Sequence, residues 1–559
     1  MNMTAALTES YGKGATDVPL IEQPIGDFFD DMVSKQPDRE ALISRHEGQR
    51  FTYRELQTES NKLASALLGL GLKTGDRVGI WSHNNVPWVL MQIATAKVGL
   101  ILVNINPAYR TSELEYALNK VGCKVLVTMA QFKTSDYLGM LRELGPARLP
   151  LLQHTFWIDK PGQGDEQPGM QRFSQLLASG DAADPRIAQI QKTLKATDPI
   201  NIQFTSGTTG FPKGATLTHR NILNNGFFIG ECMKLSPVDK LCIPVPLYHC
   251  FGMVLGNLAC LTHGSAIVYP NDGFDPLTVL ETVQAEKCTG LHGVPTMFIA
   301  ELDHPRFKEF DLSTLRTGIM AGSPCPIEVM KRVVSQMHLS EITIAYGMTE
   351  TSPVSCQSST DTPLDRRVST VGTVQPHLEV KIVDPETGAI MPPGQSGELC
   401  TRGYSVMHGY WDDEPKTREA IDAEHWMHTG DLATMDAEGY VNIVGRIKDM
   451  VIRGGENIYP REIEEFLYRH PKVQDVQVVG LPDRKYGEEL CAWIIVKPGQ
   501  TATDTEIRDF CKGQIAHYKV PKYIQFVTEF PMTVTGKIQK FKIRDAMTEQ
   551  LGLQQEKTA

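Results

Sequence analysis

Apolar positions after Asp38 alternate between short unbroken runs and stripes with helical spacing. The short runs predict strands, and these are Ala41–Ile43, Arg77–Trp81, Leu100–Asn104 and Lys124–Thr128. The stripes between them predict helices, one of them over Val86–Val98. Strands that alternate with helices in this way predict an α/β fold, with a mostly parallel sheet covered by helices on both faces.

Sequence patterns of the form Ser/Thr-x-x-Glu predict where two of these helices begin. Thr52 with Glu55 predicts one capping box, and Ser112 with Glu115 predicts another. The stretch Gly162–Pro185 is polar and rich in Gly, Asp and Gln, which predicts a surface connection.

The periodicity changes after Asp449. Helices are predicted over 462–470 and 505–515, and strands over 473–479, 490–497 and 523–527. This pattern predicts a small α+β domain at the C-terminal end, large enough to fold by itself. A chain of 559 residues is too long for one core and predicts more than one domain.

Charge and composition narrow the class of protein. A formal net charge of -11 argues against a general nucleic-acid binder, which needs a basic face. The first residues have neither a basic start nor an apolar run, and no stretch reaches the length of a membrane span. Peripheral contact with a membrane stays open. The 11 scattered cysteines favour reduced thiols, so we expect a cytoplasmic enzyme.

The segment Thr205–Gly214, TSGTTGFPKG, combines hydroxyl side chains, glycines and one lysine within a single predicted loop between two strands. Glycine lets a backbone fold closely around an anion, and Lys213 adds a mobile positive charge. The spacing does not fit a Walker phosphate loop, because Lys213 is followed by Gly214 rather than by Ser or Thr. The segment predicts a phosphate-binding loop of another kind, and an ordinary surface loop is the alternative.

The segment Tyr346–Glu350 follows a predicted strand at 342–345. At such a strand end a tyrosine could stack on a purine, and a carboxylate could hold Mg²⁺. Packing explains Tyr346 equally well. His249 precedes Cys250, but neighbouring side chains usually point apart, which argues against a cysteine nucleophile. Asp431 lies in a Thr-Gly-Asp turn and Lys537 follows a Thr-Gly turn. Alone, each of these is an ordinary turn.

Together these motifs resemble the signatures of the adenylate-forming (AMP-binding) superfamily. Five motifs occur in that family's order, at 205–214, 346–350, 426–431, 439–464 and 531–537. The resemblance implies a large N-terminal domain and a small mobile C-terminal domain joined by a hinge. We therefore expect a loose N-terminal arm over 1–25, the AMP-binding domain over 26–445, the hinge over 446–448 and the mobile domain over 449–559.

The resemblance also implies a role for each candidate site residue. ATP or AMP is expected to contact Thr205, Ser206, Gly207, Thr208, Thr209, Gly210, Lys213, Gly322, Ser323, Tyr346, Asp431, Arg446 and Lys537. The catalytic residues are expected to be Thr349, Glu350, Arg446 and Lys537, with Glu350 as the ligand of Mg²⁺. The remaining expectations are Lys448 as the hinge residue, Gly454 and Gly455 at coenzyme A, and His249, Met253 and Val294 in the acyl pocket.

The activity implied is that of an acyl-CoA synthetase, which joins a carboxylic acid to coenzyme A at the expense of ATP. The amino-acid sequences of Asn104–Arg110 and Pro246–Met253 resemble those of the fatty-acid branch known as acyl-CoA synthetase family member 2. We expect medium-chain fatty acids as substrates, with long-chain or aryl acids as the alternative. A regulator that binds adenylate without catalysis is a second alternative.

Overall fold

The computed structural model describes residues 6–132, 134–159, 167–205, 212–323, 325–453, 456–483, 486–512, 514–515, 517–533 and 537–553. In chain order its strands are β1 Tyr11–Lys13, β2 Glu40–Ser44, β3 Gln49–Thr52, β4 Arg77–Trp81, β5 Ile101–Asn104, β6 Val125–Met129, β7 Gln131–Phe132, β8 Ser135–Asp136, β9 His154–Ile158, β10 Gln171–Arg172, β11 Pro199–Thr205, β12 Lys213–Thr218, β13 Lys240–Cys242, β14 Ala266–Tyr269, β15 Gly290–Gly293, β16 Thr317–Met320, β17 Glu341–Gly347, β18 Val354–Gln357, β19 Thr373–Val374, β20 Leu378–Val383, β21 Gly397–Gly403, β22 Gly409–Tyr410, β23 Met427–Met435, β24 Val441–Arg446, β25 Val451–Arg453, β26 Glu456–Ile458, β27 Val473–Asp483, β28 Gly487–Val496 and β29 Tyr523–Phe526.

The helices lie between these strands. They are α1 Ile25–Lys35, α2 Tyr53–Gly69, α3 Val86–Lys97, α4 Thr111–Val121, α5 Tyr137–Arg148, α6 Phe173–Ala178, α7 Pro185–Gln191, α8 His219–Cys232, α9 Ala259–His263, α10 Pro276–Glu286, α11 Pro295–Leu302, α12 Ile327–Gln336, α13 Leu364–Ser369, α14 Glu414–Ala420, α15 Pro460–Leu467, α16 Asp504–Cys511 and α17 Lys540–Gln550. A π-helix covers Phe251–Leu258, and 3₁₀ turns cover Phe307–Glu309, Thr349–Thr351, Ile447–Asp449 and His517–Lys519. Among the described residues, none of these helices combines the length and the apolar character needed to cross a bilayer.

Two large sheets form the body of the N-terminal domain. One has the order β10-β9-β6-β4-β5-β11-β12-β22, and the other has the order β19-β18-β17-β16-β15-β13-β14-β2-β3. The strands from β10 to β11 and from β17 to β2 are paired in parallel, whereas β12 and β22 in the first sheet and β18, β19 and β3 in the second are antiparallel. Parallel strands need helical crossovers, which accounts for the helix-covered sheets that the sequence predicts.

A third sheet, β1-β20-β21-β23-β24, is antiparallel and leads towards the small domain. The small domain has its own sheet, β26-β25-β28-β27, with β29 parallel to β28. A separate cluster of buried side chains, including Ile463, Val476 and Ile494, forms its core. The predicted α/β fold with a small α+β C-terminal unit is confirmed.

The start of the chain differs from the loose arm expected over residues 1–25. β1 pairs with β20, with Tyr11 opposite Lys381. The Ile21 N–H donates a hydrogen bond of 2.6 Å to Asn224 Oδ1. The segment from residue 6 onward is therefore held against the large domain, because its backbone groups find partners there.

The two predicted capping boxes have different outcomes. Thr52 and Glu55 form the predicted box at the start of α2. The prediction at Ser112 was wrong, because the N-cap of α4 is Arg110, two residues earlier, and the Arg110 N–H donates to Glu113 Oε2 at 3.0 Å. The carboxylate of Glu115 instead pairs with Arg148.

The predicted surface connection over 162–185 also needs correction. Its first residues, up to 166, lie outside the described part of the chain. The remainder contains β10 and α6, and α6 buries Phe173 and Leu176 against the body of the domain. The prediction failed because the polar residues around Phe173 and Leu176 dominate the composition of this segment.

Candidate active site

The predicted phosphate-binding loop connects β11 to β12. These strands form an antiparallel hairpin in which Thr205 lies opposite Lys213. The structure thus fixes both ends of the loop at the same place. The intervening candidates, Ser206, Gly207, Thr208, Thr209 and Gly210, lie outside the described residues.

A buried carboxylate lies beside this hairpin. Glu350, in the 3₁₀ turn that follows β17, is 5% exposed. The Thr205 hydroxyl donates a hydrogen bond of 3.2 Å to Glu350 Oε1, and the Tyr410 hydroxyl donates one of 2.8 Å to the same oxygen. The neighbouring Thr349 is buried as well. The structure therefore brings the start of the loop and the predicted magnesium ligand into direct contact.

Tyr410 is a site residue that the sequence did not reveal. It lies on β22, which pairs with β12 and so reaches the hairpin from a distant part of the chain. Lys213 Nζ lies 4.3 Å from the centroid of the Tyr410 ring, a cation–π contact. Burial, followed by the charge of Glu350, raises the pKa of Tyr410, so its hydroxyl remains a proton donor at neutral pH.

A second pair of predicted residues also meets. The Tyr346 hydroxyl donates a hydrogen bond of 2.7 Å to Asp431 Oδ2. Burial and then the carboxylate of Asp431 raise the pKa of Tyr346. Asp431 on β23 lies opposite Arg446 on β24, so the backbone places these two candidates on neighbouring strands.

The turn that carries Asp431 is held by β21. The Gly430 N–H donates a hydrogen bond of 3.0 Å to Glu398 Oε1, and the Thr429 hydroxyl donates one of 2.7 Å to the Leu399 carbonyl. Gly430 has a φ of 69°, a left-handed conformation that glycine adopts readily. The position of the Asp431 carboxylate thus depends on contacts with a neighbouring strand.

The small domain contributes Lys537 to the same region. Burial, and to a smaller extent the positive charge of Lys537, lower the pKa of His249 to about 3. Burial raises the pKa of the Cys250 thiol to about 12, and there the charges of Glu350 and Lys537 act in opposite directions. The charges of Lys537, the candidate catalytic cation, and of Glu350, the candidate metal ligand, therefore both act on this buried thiol.

Two of the three candidate residues of the acyl pocket lie in the main hydrophobic core of the large domain. They are Val294 and Met253, and both are buried. A Cβ atom added at Gly322 would lie only 3.1 Å from Val294 Cγ1, so the absence of a side chain lets the Gly322 backbone approach Val294 closely. His249 Nδ1 accepts a hydrogen bond of 3.3 Å from the Phe251 N–H. A neutral His249 is compatible with an apolar acyl chain.

Met253 does more than fill space. Its sulfur accepts hydrogen bonds of 3.2 Å from Asn104 Nδ2 and from Gln203 Nε2. The Cys250 thiol in turn donates to Gln203 Oε1 at 3.3 Å. This buried polar network links the apolar cluster to β11, and Gln203 gave no signal in the sequence analysis.

The structure describes the remaining candidate residues only in part. Ser323 follows Gly322 at the end of β16, and its carbonyl accepts a hydrogen bond of 3.5 Å from the Cys325 thiol. Lys448 lies in the 3₁₀ turn Ile447–Asp449. The side chains of Arg446 and Lys448, and all of Gly454 and Gly455, lie outside the described part of the structure.

Comparison with known families agrees with this geometry. The model of the family described as AMP-binding enzyme matches residues 29–411, and that of the AMP-binding enzyme C-terminal domain matches residues 462–537. The chain belongs to the AMP-binding enzyme family. The two matched ranges together contain most of the residues placed above.

Relatives within this family extend over nearly the whole chain. A putative acyl-CoA synthetase of Bacillus subtilis, YngI, is 48% identical over 96% of this chain and 99% of its own. The human mitochondrial medium-chain acyl-CoA ligase ACSF2 is 45% identical over 97% of this chain and 91% of its own.

Solved structures of adenylate-forming enzymes show the same architecture. The anthranilate CoA ligase AuaEII in complex with anthranoyl-AMP is 28% identical, with a TM-score of 0.86 over 96% of this chain and 99% of its own. ATP-bound MatB from Rhodopseudomonas palustris is 28% identical, with a TM-score of 0.81 over 94% of this chain and 99% of its own.

Proposed function

We propose that the protein is an ATP-dependent, AMP-forming acyl-CoA synthetase that acts on medium-chain fatty acids. The observation that carries this proposal is the hydrogen bond from Thr205, at the start of the phosphate-binding loop, to the buried carboxylate of Glu350. A reaction between two anions needs cations and oriented donors at one place.

In the first half-reaction, an oxygen of the fatty-acid carboxylate attacks the α-phosphorus of ATP. The new O–P bond gives an acyl-adenylate, and the bond to the leaving pyrophosphate breaks. Lys537 pairs with the carboxylate and the α-phosphate, which reduces their repulsion. The loop over 205–214 holds the pyrophosphate, Tyr346 lies against the adenine, and Asp431 accepts hydrogen bonds from the ribose.

Glu350 and Thr205 fit a magnesium ion, because carboxylate and hydroxyl oxygens are the ligands that Mg²⁺ prefers. When bound, Mg²⁺ neutralises charge on the phosphates of ATP. The hydroxyls of Thr205 and Tyr410 orient the Glu350 carboxylate towards that role.

In the second half-reaction, the sulfur of coenzyme A attacks the acyl carbonyl and AMP leaves with the C–O electron pair. We propose that the small domain first rotates at Lys448, which withdraws Lys537 and brings Gly454 and Gly455 to the coenzyme A thiol. The 3₁₀ turn Ile447–Asp449 joins the third sheet to the small domain, as a hinge of few residues requires.

The names of the ACSF2 relatives support medium-chain acids. We therefore expect pyrophosphate release from ATP with decanoate, and coenzyme A thioester formation that peaks at medium chain lengths. An acid panel from acetate to palmitate, with benzoate and coumarate, scored by thioester mass, tests this. A maximum at palmitate or coumarate would replace the substrate class, and no pyrophosphate release with any acid would indicate a non-catalytic regulator.

Replacement of Tyr410 by phenylalanine should lower the affinity of the Glu350 site for Mg²⁺. Glu350 loses the hydroxyl donor Tyr410 and keeps Thr205, and a hydrogen bond to a charged group contributes about 1.5–3 kcal/mol. We expect the Mg²⁺ concentration for half-maximal adenylation to rise about tenfold, since ~1.4 kcal/mol corresponds to a factor of ten. The measurement is a Mg²⁺ titration of pyrophosphate release.

Tyr404→Phe is the matched control, because Tyr404 is 7% exposed, Tyr410 is 6% exposed, and Tyr404 contacts Asn225 away from this carboxylate. An equal shift in both variants would show that the effect arises from general destabilisation. An unchanged Mg²⁺ dependence in Tyr410→Phe would remove Tyr410 from the site.

We also propose that the protein is located in the cytoplasm, which is a reducing compartment. All 11 cysteines are free and most are buried. Such thiols persist where glutathione keeps cysteine reduced.

A further inference from the structure

A second cluster of metal-ligating side chains lies on the third sheet, behind the turn that carries Asp431. It consists of Glu398 and Cys400 on β21 and His428 on β23. Cys400 lies directly opposite His428 in the strand pairing. An irregularity in the register between Glu398 and Cys400 brings the carboxylate to the same imidazole. The cluster is therefore built by strand pairing rather than by a chance meeting of long side chains.

The distances within the cluster fit a tetrahedral ion. His428 Nδ1 lies 2.9 Å from Glu398 Oε2 and 3.5 Å from Cys400 Sγ. One potential ligand atom from each residue lies within 4.8 Å of the others. Two zinc bonds, of about 2.0 Å to nitrogen and about 2.3 Å to sulfur, hold these two atoms about 3.5 Å apart when they meet at a tetrahedral angle. Only a small movement of the carboxylate is needed.

The surroundings supply what a zinc site needs beyond its ligands. His428 Nε2 lies 3.5 Å from Asp422 Oδ2, the arrangement in which a second carboxylate orients a metal-bound imidazole. Glu398 Oε1 accepts the hydrogen bond from the Gly430 N–H, which leaves Oε2 for the metal. Cys400 is fully buried, and the Glu398 side chain is 13% exposed.

The ligand types select the metal. Thiolate and imidazole favour zinc, whereas Mg²⁺ prefers oxygen ligands alone. One thiolate and one carboxylate neutralise the two charges of Zn²⁺. Metal binding needs a Cys400 thiolate and an unprotonated His428 Nδ1, so uptake of the ion is coupled to proton release. Without metal, His428 Nδ1 forms an ion pair with Glu398 Oε2 at 2.9 Å.

We propose that Glu398, Cys400 and His428 bind one zinc ion, with water as the fourth ligand. The ion fixes β21 to β23 where the Gly430 N–H meets Glu398, and so stabilises the turn that presents Asp431. This site is separate from the magnesium site at Glu350, and the inference does not depend on the proposed substrate.

The test uses the full-length chain purified without a histidine tag. The protein is incubated with Zn²⁺, passed through a desalting column and analysed for metal by mass spectrometry, and a parallel sample is loaded with Co²⁺. The variants are Cys400→Ser and His428→Gln. The matched controls are Cys356→Ser, a buried cysteine of the second sheet, and His425→Gln, an exposed histidine three positions away.

We expect about one zinc ion per chain in the unsubstituted protein and both controls, and at least a tenfold loss in the two ligand variants. The cobalt-loaded protein should show the thiolate charge-transfer band of a tetrahedral site. Zinc should also raise the melting temperature of the unsubstituted protein but not of Cys400→Ser.

Zinc content that is equal in ligand variants and controls would overturn the proposal in favour of the metal-free ion pair, as would the absence of retained zinc. If Cys400→Ser fails to fold, the cobalt spectrum of the unsubstituted protein still tests whether a thiolate binds the metal. A cobalt complex without a thiolate band would overturn it as well.

Discussion

Lys537→Ala should abolish adenylate formation while sparing the second half-reaction. Lys537 is the small-domain cation whose charge acts on both His249 and Cys250, beside Glu350. Removal of one such charge-stabilising group costs about two to three orders of magnitude in rate, by analogy with oxyanion-hole donors. Thioester formation from synthetic acyl-AMP and coenzyme A bypasses this step, so we expect it to persist near the unsubstituted rate.

The measurement compares pyrophosphate release without coenzyme A against thioester formation from synthetic acyl-adenylate. Lys542→Ala is the matched control, because Lys542 is an exposed lysine in α17. It should leave both half-reactions intact. If Lys537→Ala slows both halves equally, the lysine acts in both steps or supports the structure of the small domain, and the alternation of domains proposed here is wrong.

The strands of the large domain were predictable because most are buried on both faces. A parallel strand in such a sheet appears in the sequence as an unbroken apolar run, and the strand predicted at Arg77–Trp81 has the same bounds in the structure. The helix over Val86–Val98 ends one residue earlier than predicted. Local sequence was sufficient here because the hydrophobic pattern and the tertiary burial agree.

Predictions failed where a distant partner decided the outcome. Ser112 and Glu115 form a plausible local cap, but Arg148 pairs with Glu115, and it is Glu113 that accepts a hydrogen bond from the N–H of the capping residue Arg110. Phe173 lies in a polar stretch, yet α6 buries it. No window of sequence around these residues contains the partner that determines their structure.

The candidate site was likewise predictable only where local sequence determines it. The motifs identified Thr205, Glu350 and Lys537 as candidates, but not which of them meet. Tyr410 escaped notice because its contact with Glu350 depends on the pairing of β22 with β12, which joins distant parts of the chain. A lone tyrosine before a tryptophan has no signature of its own, so only the three-dimensional structure could reveal it.

Lys448→Pro should have the opposite effect to Lys537→Ala. The 3₁₀ turn Ile447–Asp449 contains Lys448 in the conformation described here, in which the charge of Lys537 reaches Cys250. Proline fixes φ near −65°, a value that 3₁₀ residues adopt, and therefore resists the rotation that a hinge requires. We expect pyrophosphate release to be largely retained and thioester formation from synthetic acyl-adenylate to fall about a hundredfold or more, the scale on which a misplaced reacting group slows a reaction.

Lys448→Ala, which leaves φ free, should keep both half-reactions. Full activity of Lys448→Pro in both halves would remove this residue from the hinge, and loss of adenylation alone would show that the structure described here represents the other state of the cycle. Opposite effects of Lys537→Ala and Lys448→Pro, with Lys448→Ala active, would together indicate that one active site performs two chemical steps through two positions of the small domain, because proline at 448 then acts by restricting backbone rotation and not by removing a side chain.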